Sequence, residues 1–192
     1  MLIIIEKYSS MLLGALGKTI LLTLLSLIFA MVVGMIFALM NVGKNRFFNC
    51  IGTIYVDAVR GVPLIVLAYF IFFGVPQGIK SLGFQDFRLT ALQAGTIALA
   101  MNCGAYMAEI IRAGIESVDK GQMEASRSLG LSYGKSMRKV VLPQAIRTMI
   151  PSIINQFIIT LKDTSILSVI GFPDLTNIGK TISGNTFKSL QT

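Results

Sequence analysis

The feature that most constrains this chain is an uncharged run of 21 residues, from Ile20 to Met40. An α-helix rises about 1.5 Å per residue, so about 20 apolar residues are needed to cross the hydrocarbon core of a bilayer. A second uncharged run extends from Leu89 to Met107, and shorter apolar stretches cover 62–75 and 146–161. Only 14% of the residues are charged, against about 25% in an ordinary soluble domain. The pattern predicts an all-α, polytopic membrane protein.

The first run could alternatively be the apolar core of a secretory signal peptide. Such cores have about 7–15 residues and precede a cleavage site of small residues. The run here is longer, and no small-residue cleavage pattern follows Met40. We therefore interpret it as a membrane span.

Four spans follow from the apolar runs and their polar flanks: 19–40, 52–75, 89–111 and 145–170. Residues 1–18 have a mixed composition, which predicts a short interfacial helix before the first span. Pro63 either kinks the second span or begins its apolar half, because proline lacks the amide donor that a helix interior needs. Beyond Gly171 the chain is polar.

The net charge of +8 is unevenly distributed among the connecting loops. Seven cations lie between spans three and four: Arg112, Lys120, Arg127, Lys135, Arg138, Lys139 and Arg147. The 41–50 loop adds Lys44 and Arg46, whereas the 76–88 loop has only Lys80 and Arg88, with Asp86 between them. Cation-rich loops face the cytoplasm in membrane proteins. We therefore expect 41–50 and 112–147 to be cytoplasmic, and the N-terminus and 76–88 to be external.

The long polar loop predicts two short helices joined by a turn, which we call the elbow (residues 119–142). Asp119 can cap the first helix, with Gln122 completing a capping box, and Gly130 suits the position that ends it. Ser132 can cap the second helix, which is expected to end near Leu142 because Pro143 follows.

The elbow contains no nucleophile–base pair and no metal-ligand spacing, and the isolated Cys50 and Cys103 suggest neither a disulfide nor a metal site. Its helix, glycine turn and basic helix do resemble a DNA-binding helix-turn-helix. Two flanking membrane spans leave duplex DNA little room to approach, so that reading is disfavoured.

A second pattern in the elbow is more specific. Glu124-Ala125-Ser126 is followed after three residues by Gly130, and after nine more by Val140, one residue and Leu142-Pro143. This resembles the EAA loop of ABC importer membrane subunits, in which alanine replaces Ser126 and isoleucine replaces Val140.

The resemblance extends over roughly residues 10–187, to the polar amino acid permease family of ABC importers. It includes the segments Tyr55–Leu64 and Gly104–Glu109, which are similar to that family's Y-V-E-x-x-R-G-T-P-L and G-A-Y-x-A-E segments. Family members usually carry a fifth span after the segment that matches Thr186-Phe187, where this chain ends.

The resemblance implies that residues 1–192 are a single transmembrane domain of the type I importer fold, with four spans present and the fifth missing. Its coupling loop would cover 112–145. Implied partners are cytoplasmic ABC ATPase subunits, a second permease subunit (identical or a close paralogue) and an extracytoplasmic solute-binding protein, in a bacterial cell membrane. ATP and magnesium would bind the ATPase, because this chain has no Walker-type glycine loop; no cofactor, nucleic-acid or enzymatic role is expected for the chain itself.

The resemblance also assigns residues to ATPase coupling: Gly121, Glu124, Ala125, Gly130, Leu142 and Pro143. Simple helix capping is the alternative role for Glu124 and Gly130. Ionisable groups are costly at membrane depth and are therefore candidates for the substrate pathway. The pathway candidates, charged and uncharged, are Asp57, Arg60, Asn102, Tyr106, Gln156, Lys162 and Asp163.

Each pathway candidate has a structural alternative. Asp57 and Arg60, at i and i+3, can form an ion pair near the inner face. Lys162 and Asp163 can extend to the outer interface. The three uncharged polar groups can instead hold helices together.

The substrate is expected to be a polar amino acid. Some similar proteins that handle basic amino acids carry a glutamate where this chain has Gln156, and an amide does not offset the desolvation of a cationic side chain. We therefore favour a glutamine-like neutral or acidic substrate, with basic amino acids or cystine as the alternative. A membrane channel or scaffold without ATP coupling is the alternative function.

Overall fold

A computed structural model describes residues 2–43 and 45–186, with side chains from Lys7 onward. Lys44, counted above as a cytoplasmic cation, and Phe187–Thr192 lie outside the described residues. Every regular element in the described part is helical, and we number the helices in chain order: α1 Leu2–Val42, α2 Arg46–Gly61, α3 Leu64–Ser81, α4 Ala91–Glu116, α5 Lys120–Ser128, α6 Tyr133–Ile170 and α7 Leu175–Thr186. Four of them, α1 from Lys7 and α3, α4 and α6 whole, are long and apolar enough to cross a membrane.

The first helix is continuous from Leu2 to Val42, which makes it about 60 Å long. The prediction of a separate interfacial helix over 1–18 is therefore wrong. No proline interrupts this segment, and Gly14 and Gly17 remain helical. A helix of this length extends well beyond the hydrocarbon core of a bilayer.

The second predicted span is two helices rather than one. Val62 is extended, with φ −100° and ψ 128°, and Pro63 occupies the cap position of α3. A residue before proline is pushed towards extended geometry, so the chain breaks here. Pro63 thus begins the apolar half, and the apolar span is Leu64–Ser81 instead of 52–75. Within α3, residues 70–74 form a wide π-helical turn.

Helix α4 is the centre of the bundle and packs closely against α1. A Cβ atom added to Gly34 would lie 2.6 Å from Met107 Cβ, and one added to Gly104 would lie 2.9 Å from Val33 Cγ1. Small residues allow helix backbones to approach in this way. Tyr55 fixes α2 to the same core, because its hydroxyl donates to the Met101 carbonyl at 2.9 Å.

The fourth span begins inside the elbow. The predicted helix end near Leu142 is wrong: α6 passes through Pro143 without a break, by way of a π-helical turn at Met137–Val141. A proline ring clashes with the carbonyl four residues earlier in an α-helix, and a π-turn displaces that carbonyl. The second arm of the elbow and the fourth span are consequently one rod.

A last helix, α7, lies beyond Gly171, where the sequence was expected to be only polar chain. Asp174 is 1% exposed and caps α7 by accepting the Thr176 and Asn177 amides. The Leu175 amide donates to Thr19 Oγ1 at 3.3 Å, which attaches α7 to α1.

Candidate functional site

The elbow has the helix start that the sequence predicts, with one difference. Asp119 Oδ1 accepts the Gly121 amide at 2.7 Å and so caps α5. Gln122 does not complete a capping box; its Oε1 accepts from Gln144 Nε2 at 3.3 Å. The side chain that was expected to cap α5 therefore links α5 to α6.

Gly130 ends α5 in the left-handed conformation, with φ +85°. Its amide donates to the Arg127 carbonyl at 2.9 Å, and the Leu131 amide donates to the Ser126 carbonyl at 3.3 Å. These two bonds form a Schellman motif, which glycine accommodates without strain. The turn leaves Leu129 85% exposed at the tip of the elbow.

Glu124 and Gly130 lie on one shallow concave surface of the elbow, of about 510 Å³, together with Arg127 and Ser132. Ser132 occupies the cap position of the second arm, but its side chain forms no capping hydrogen bond. Gly121 and Ala125 are exposed on α5, whereas Leu142 and Pro143 belong to α6. The elbow thus offers the solvent an acidic side chain, an apolar tip and a glycine turn.

A second concavity, which we call the central cavity, has a volume of about 450 Å³ and lies between α3, α4 and α6. Five of the seven predicted pathway residues line it: Arg60, Asn102, Tyr106, Gln156 and Asp163. The break between α2 and α3 places Gly61–Leu64 along its wall. Gln156 and Asn102 are buried, so their amides face the cavity rather than bulk solvent. Asp163 lines the cavity, while the neighbouring Lys162 is exposed on another face of α6.

Asp57 lies in a different cavity, which we call the charged cavity. It has a volume of about 320 Å³ and is lined by Asn41, Asn49, Thr53, Val56, Asp57, Arg60, Glu109, Arg112 and Glu116. The predicted Asp57–Arg60 ion pair is absent among the described residues. Instead, Arg60 Nη1 lies 3.9 Å from Glu109 Oε2, and its guanidinium lies 5.2 Å from the centre of the Tyr106 ring. Helix α4 offers Arg60 two contacts, a carboxylate and an aromatic face, whereas Asp57 on α2 offers a carboxylate alone.

Sequence reasoning did not select the ionic network on α4. Arg112 forms a hydrogen-bonded ion pair with Glu109 and a second one with Glu116, where Nη1 to Oε2 is 2.7 Å. The spacing i, i+3 and i+7 was the available signal, since such residues share one helix face. Within the described residues, no three His, Cys, Asp or Glu side chains are grouped to hold a metal ion.

Comparisons with known proteins agree with this architecture. Residues 30–189 match the family described as "Binding-protein-dependent transport system inner membrane component". The chain is 38% identical to a probable glutamine ABC transporter permease of Bacillus subtilis, GlnM, over 92% of this chain and 79% of that protein. It is also 38% identical to the arginine transport system permease ArtQ of the same organism (85% and 72%). Its identity to the glutamine transport system permease GlnP of Escherichia coli K12 is 35% (90% and 77%).

Solved structures show the same fold. An amino acid ABC transporter crystallised with histidines superposes with a TM-score of 0.86 at 39% identity, over 95% of this chain and 82% of that one. A methionine ABC transporter, MetNI, superposes with a TM-score of 0.77 at 21% identity, over 94% and 83%. These similarities confirm the predicted all-helical importer fold.

Proposed function

The chain belongs to the family of binding-protein-dependent transport system inner membrane components, and on this basis we propose that it is the permease subunit of an ATP-driven amino acid importer. The observation that carries the proposal is the central cavity, where Asp163 and the amides of Asn102 and Gln156 meet between three helices. Buried polar groups at membrane depth mark the path of a polar solute.

The cavity suits a neutral polar amino acid. Every amino acid carries an α-ammonium group, and the Asp163 carboxylate can accept from it with a charge-assisted hydrogen bond. Asp163 therefore does not by itself select a cationic side chain. Gln156 and Asn102 offer amide donors and acceptors, which complement a carboxamide such as that of glutamine. The relatives named for glutamine transport support this choice, and the one named for arginine keeps basic amino acids as the alternative substrate.

The elbow is proposed to couple the chain to a cytoplasmic ABC ATPase, which would bind ATP and magnesium. Its exposed Leu129, Glu124 and Gly130 provide a surface for a groove on such a partner. An extracytoplasmic solute-binding protein would deliver the amino acid, and a second permease subunit, identical or a paralogue, would complete the path. A channel or scaffold without ATP coupling remains the rival, and it predicts that no ATPase subunit co-purifies through the elbow.

Competition assays test the substrate. Uptake of radiolabelled glutamine by cells that express the full transport system should be blocked by excess glutamine and only weakly by excess arginine. Gln156→Glu should shift the preference towards arginine by about tenfold, because a buried carboxylate offsets desolvation of the guanidinium. The matched control is Gln85→Glu, which makes the same change at an exposed residue of the 76–88 loop, outside both the spans and the central cavity. If arginine blocks wild-type uptake far better than glutamine, the neutral-substrate proposal is wrong.

A further inference from the structure

The central cavity and the charged cavity meet at one residue. Among the described residues, Arg60 alone lines both of them. The central cavity extends from Arg60 towards Asp163 and Ile166, and the charged cavity extends from Arg60 towards Asn41 and Glu116 at the elbow end of the bundle. Arg60 therefore lies at the boundary between the two cavities.

The contacts that hold Arg60 are looser than those around it. Glu109 is bound firmly by Arg112, which contributes two hydrogen bonds from its guanidinium. Arg60 shares the same carboxylate at 3.9 Å, beyond hydrogen-bond distance, and adds a cation–π contact to Tyr106. Its side chain is 36% exposed. Since α4 holds Glu109 in place through Arg112, Arg60 is the member of the network that can move.

A second partner for Arg60 is already in place. Asp57 lies three residues earlier on α2, lines the charged cavity and forms no ion pair with the described residues. Residues three apart on a helix face can pair when the side chains turn towards each other. Arg60 therefore has two carboxylates within reach, Glu109 on α4 and Asp57 on its own helix, and both line the charged cavity.

We propose that Arg60 is a gate between the two cavities. It closes the passage when it bridges to Glu109 and Tyr106, and opens it when it turns to Asp57. The gate rests on the proposed function, because the central cavity must be the path of the solute. The two carboxylates act in opposite directions: Glu109 favours the closed state through the contact with Arg60 described above, and Asp57 favours the open state.

Thiol accessibility tests the gate directly. The full chain, with Cys50→Ser and Cys103→Ala, carries Ile159→Cys in the central cavity as reporter. Inverted membrane vesicles, which expose the elbow side, are treated with a small membrane-impermeant methanethiosulfonate, without amino acid or ATP. The rate of labelling is compared among gate variants, and the matched control is Arg147→Gln, an exposed arginine that lines neither cavity.

We expect Arg60→Gln to raise the labelling rate about fivefold, because the loss of an ion pair and a cation–π contact removes a closing interaction of that order. Asp57→Asn should lower the rate, since it removes the partner of the open state. Arg60→Lys should stay near the parent, because it keeps the charge, and Arg147→Gln should have no effect.

An unchanged rate in Arg60→Gln, or shifts in the same direction for Arg60→Gln and Asp57→Asn, would overturn the gate. If Arg60→Gln fails to reach the membrane, the Asp57→Asn rate decides alone: a fall supports the gate, and no fall overturns it. Labelling needs no substrate, so an unchanged rate with normal glutamine uptake rejects the gate and leaves the proposed function intact. Failure of the wild-type system to import glutamine would contradict the proposed function whatever the labelling shows.

Discussion

At the scale of single residues, Gly130 holds a backbone conformation that other residues adopt only at a cost. A left-handed φ costs a residue with a Cβ about 1–2 kcal/mol, and Gly130 has φ +85°. A Cβ at this position would meet nothing within 4 Å inside the chain. A substitution there should therefore spare membrane assembly and act mainly on what the turn contacts outside the chain.

We expect Gly130→Asp to reduce amino acid uptake by about tenfold or more while the subunit stays at its normal level in the membrane. Uptake and immunoblots of membrane fractions measure the two quantities. Gly179→Asp is the control, because that glycine also faces open space but has helical geometry in α7. Normal uptake by Gly130→Asp would contradict the proposed docking role of the elbow.

The residues predicted for the substrate pathway show how far sequence reasoning extends at this scale. Polar groups at membrane depth stand out in an apolar sequence, and five of those selected do line the central cavity. The ion-pair partner of Arg60, by contrast, was not predicted correctly. The i, i+3 spacing indicated Asp57 as the partner of Arg60. The observed contact with Glu109 depends on how α2 lies against α4, which the spacing of residues along one helix does not predict.

At the scale of helices, the crossing of α1 and α4 depends on glycines. Gly34→Val should destabilise the bundle by about 1–3 kcal/mol, because its Cβ would overlap Met107 Cβ and the backbones would have to separate. The thermal stability of the detergent-solubilised protein measures the loss. Gly17→Val on the same helix meets nothing within 4 Å and should have little effect. Equal stability of both variants would show that the two helices do not pack as described.

The π-turn in α6 gives a second prediction at this scale. Deletion of Arg138 should convert the turn to regular helix and rotate the elbow by about 100° relative to the fourth span. Uptake should then be lost, whereas Arg138→Ala, which keeps the residue count, should transport normally. A deletion variant that still imports amino acid would mean that the orientation of the elbow is unimportant.

The sequence predicts the positions of helices better than it predicts where they break or continue. Long apolar runs identify the spans, and Asp119 and Gly130 mark both ends of α5 correctly. Pro143 was expected to stop a helix, because a proline in a helix interior removes a backbone hydrogen bond and clashes with the carbonyl four residues earlier; a π-turn relieves that clash and leaves no simple pattern in the sequence. Helix α7 was missed because its core contribution is small, with Ile182 as its one buried apolar side chain among the described residues.

At the scale of the whole molecule, charge predicts orientation. The elbow should face the cytoplasm and the 76–88 loop the exterior, because the elbow carries five cations and the 76–88 loop only two. In a background of Cys50→Ser and Cys103→Ala, Ser128→Cys should react with an impermeant thiol reagent only in inverted vesicles. Gln85→Cys, also exposed, should react only in intact cells. The reverse pattern would show that the protein has the opposite orientation in the membrane, and that the elbow lies on the side away from a cytoplasmic ATPase.

The unbroken course of α6 has a mechanical consequence. It approaches α4 closely at Gly114, where an added Cβ would lie 3.0 Å from Met149 Cβ. A rod that tilts about this point is a lever with arms of roughly 24 Å to Tyr133 and roughly 21 Å to Asp163. Distances from spin labels at Lys135→Cys and Lys162→Cys to one at Ile97→Cys would reveal such a tilt by changing in opposite senses. Because the arms are nearly equal, a displacement of the elbow end of α6 would move Asp163 by almost the same distance in the opposite direction.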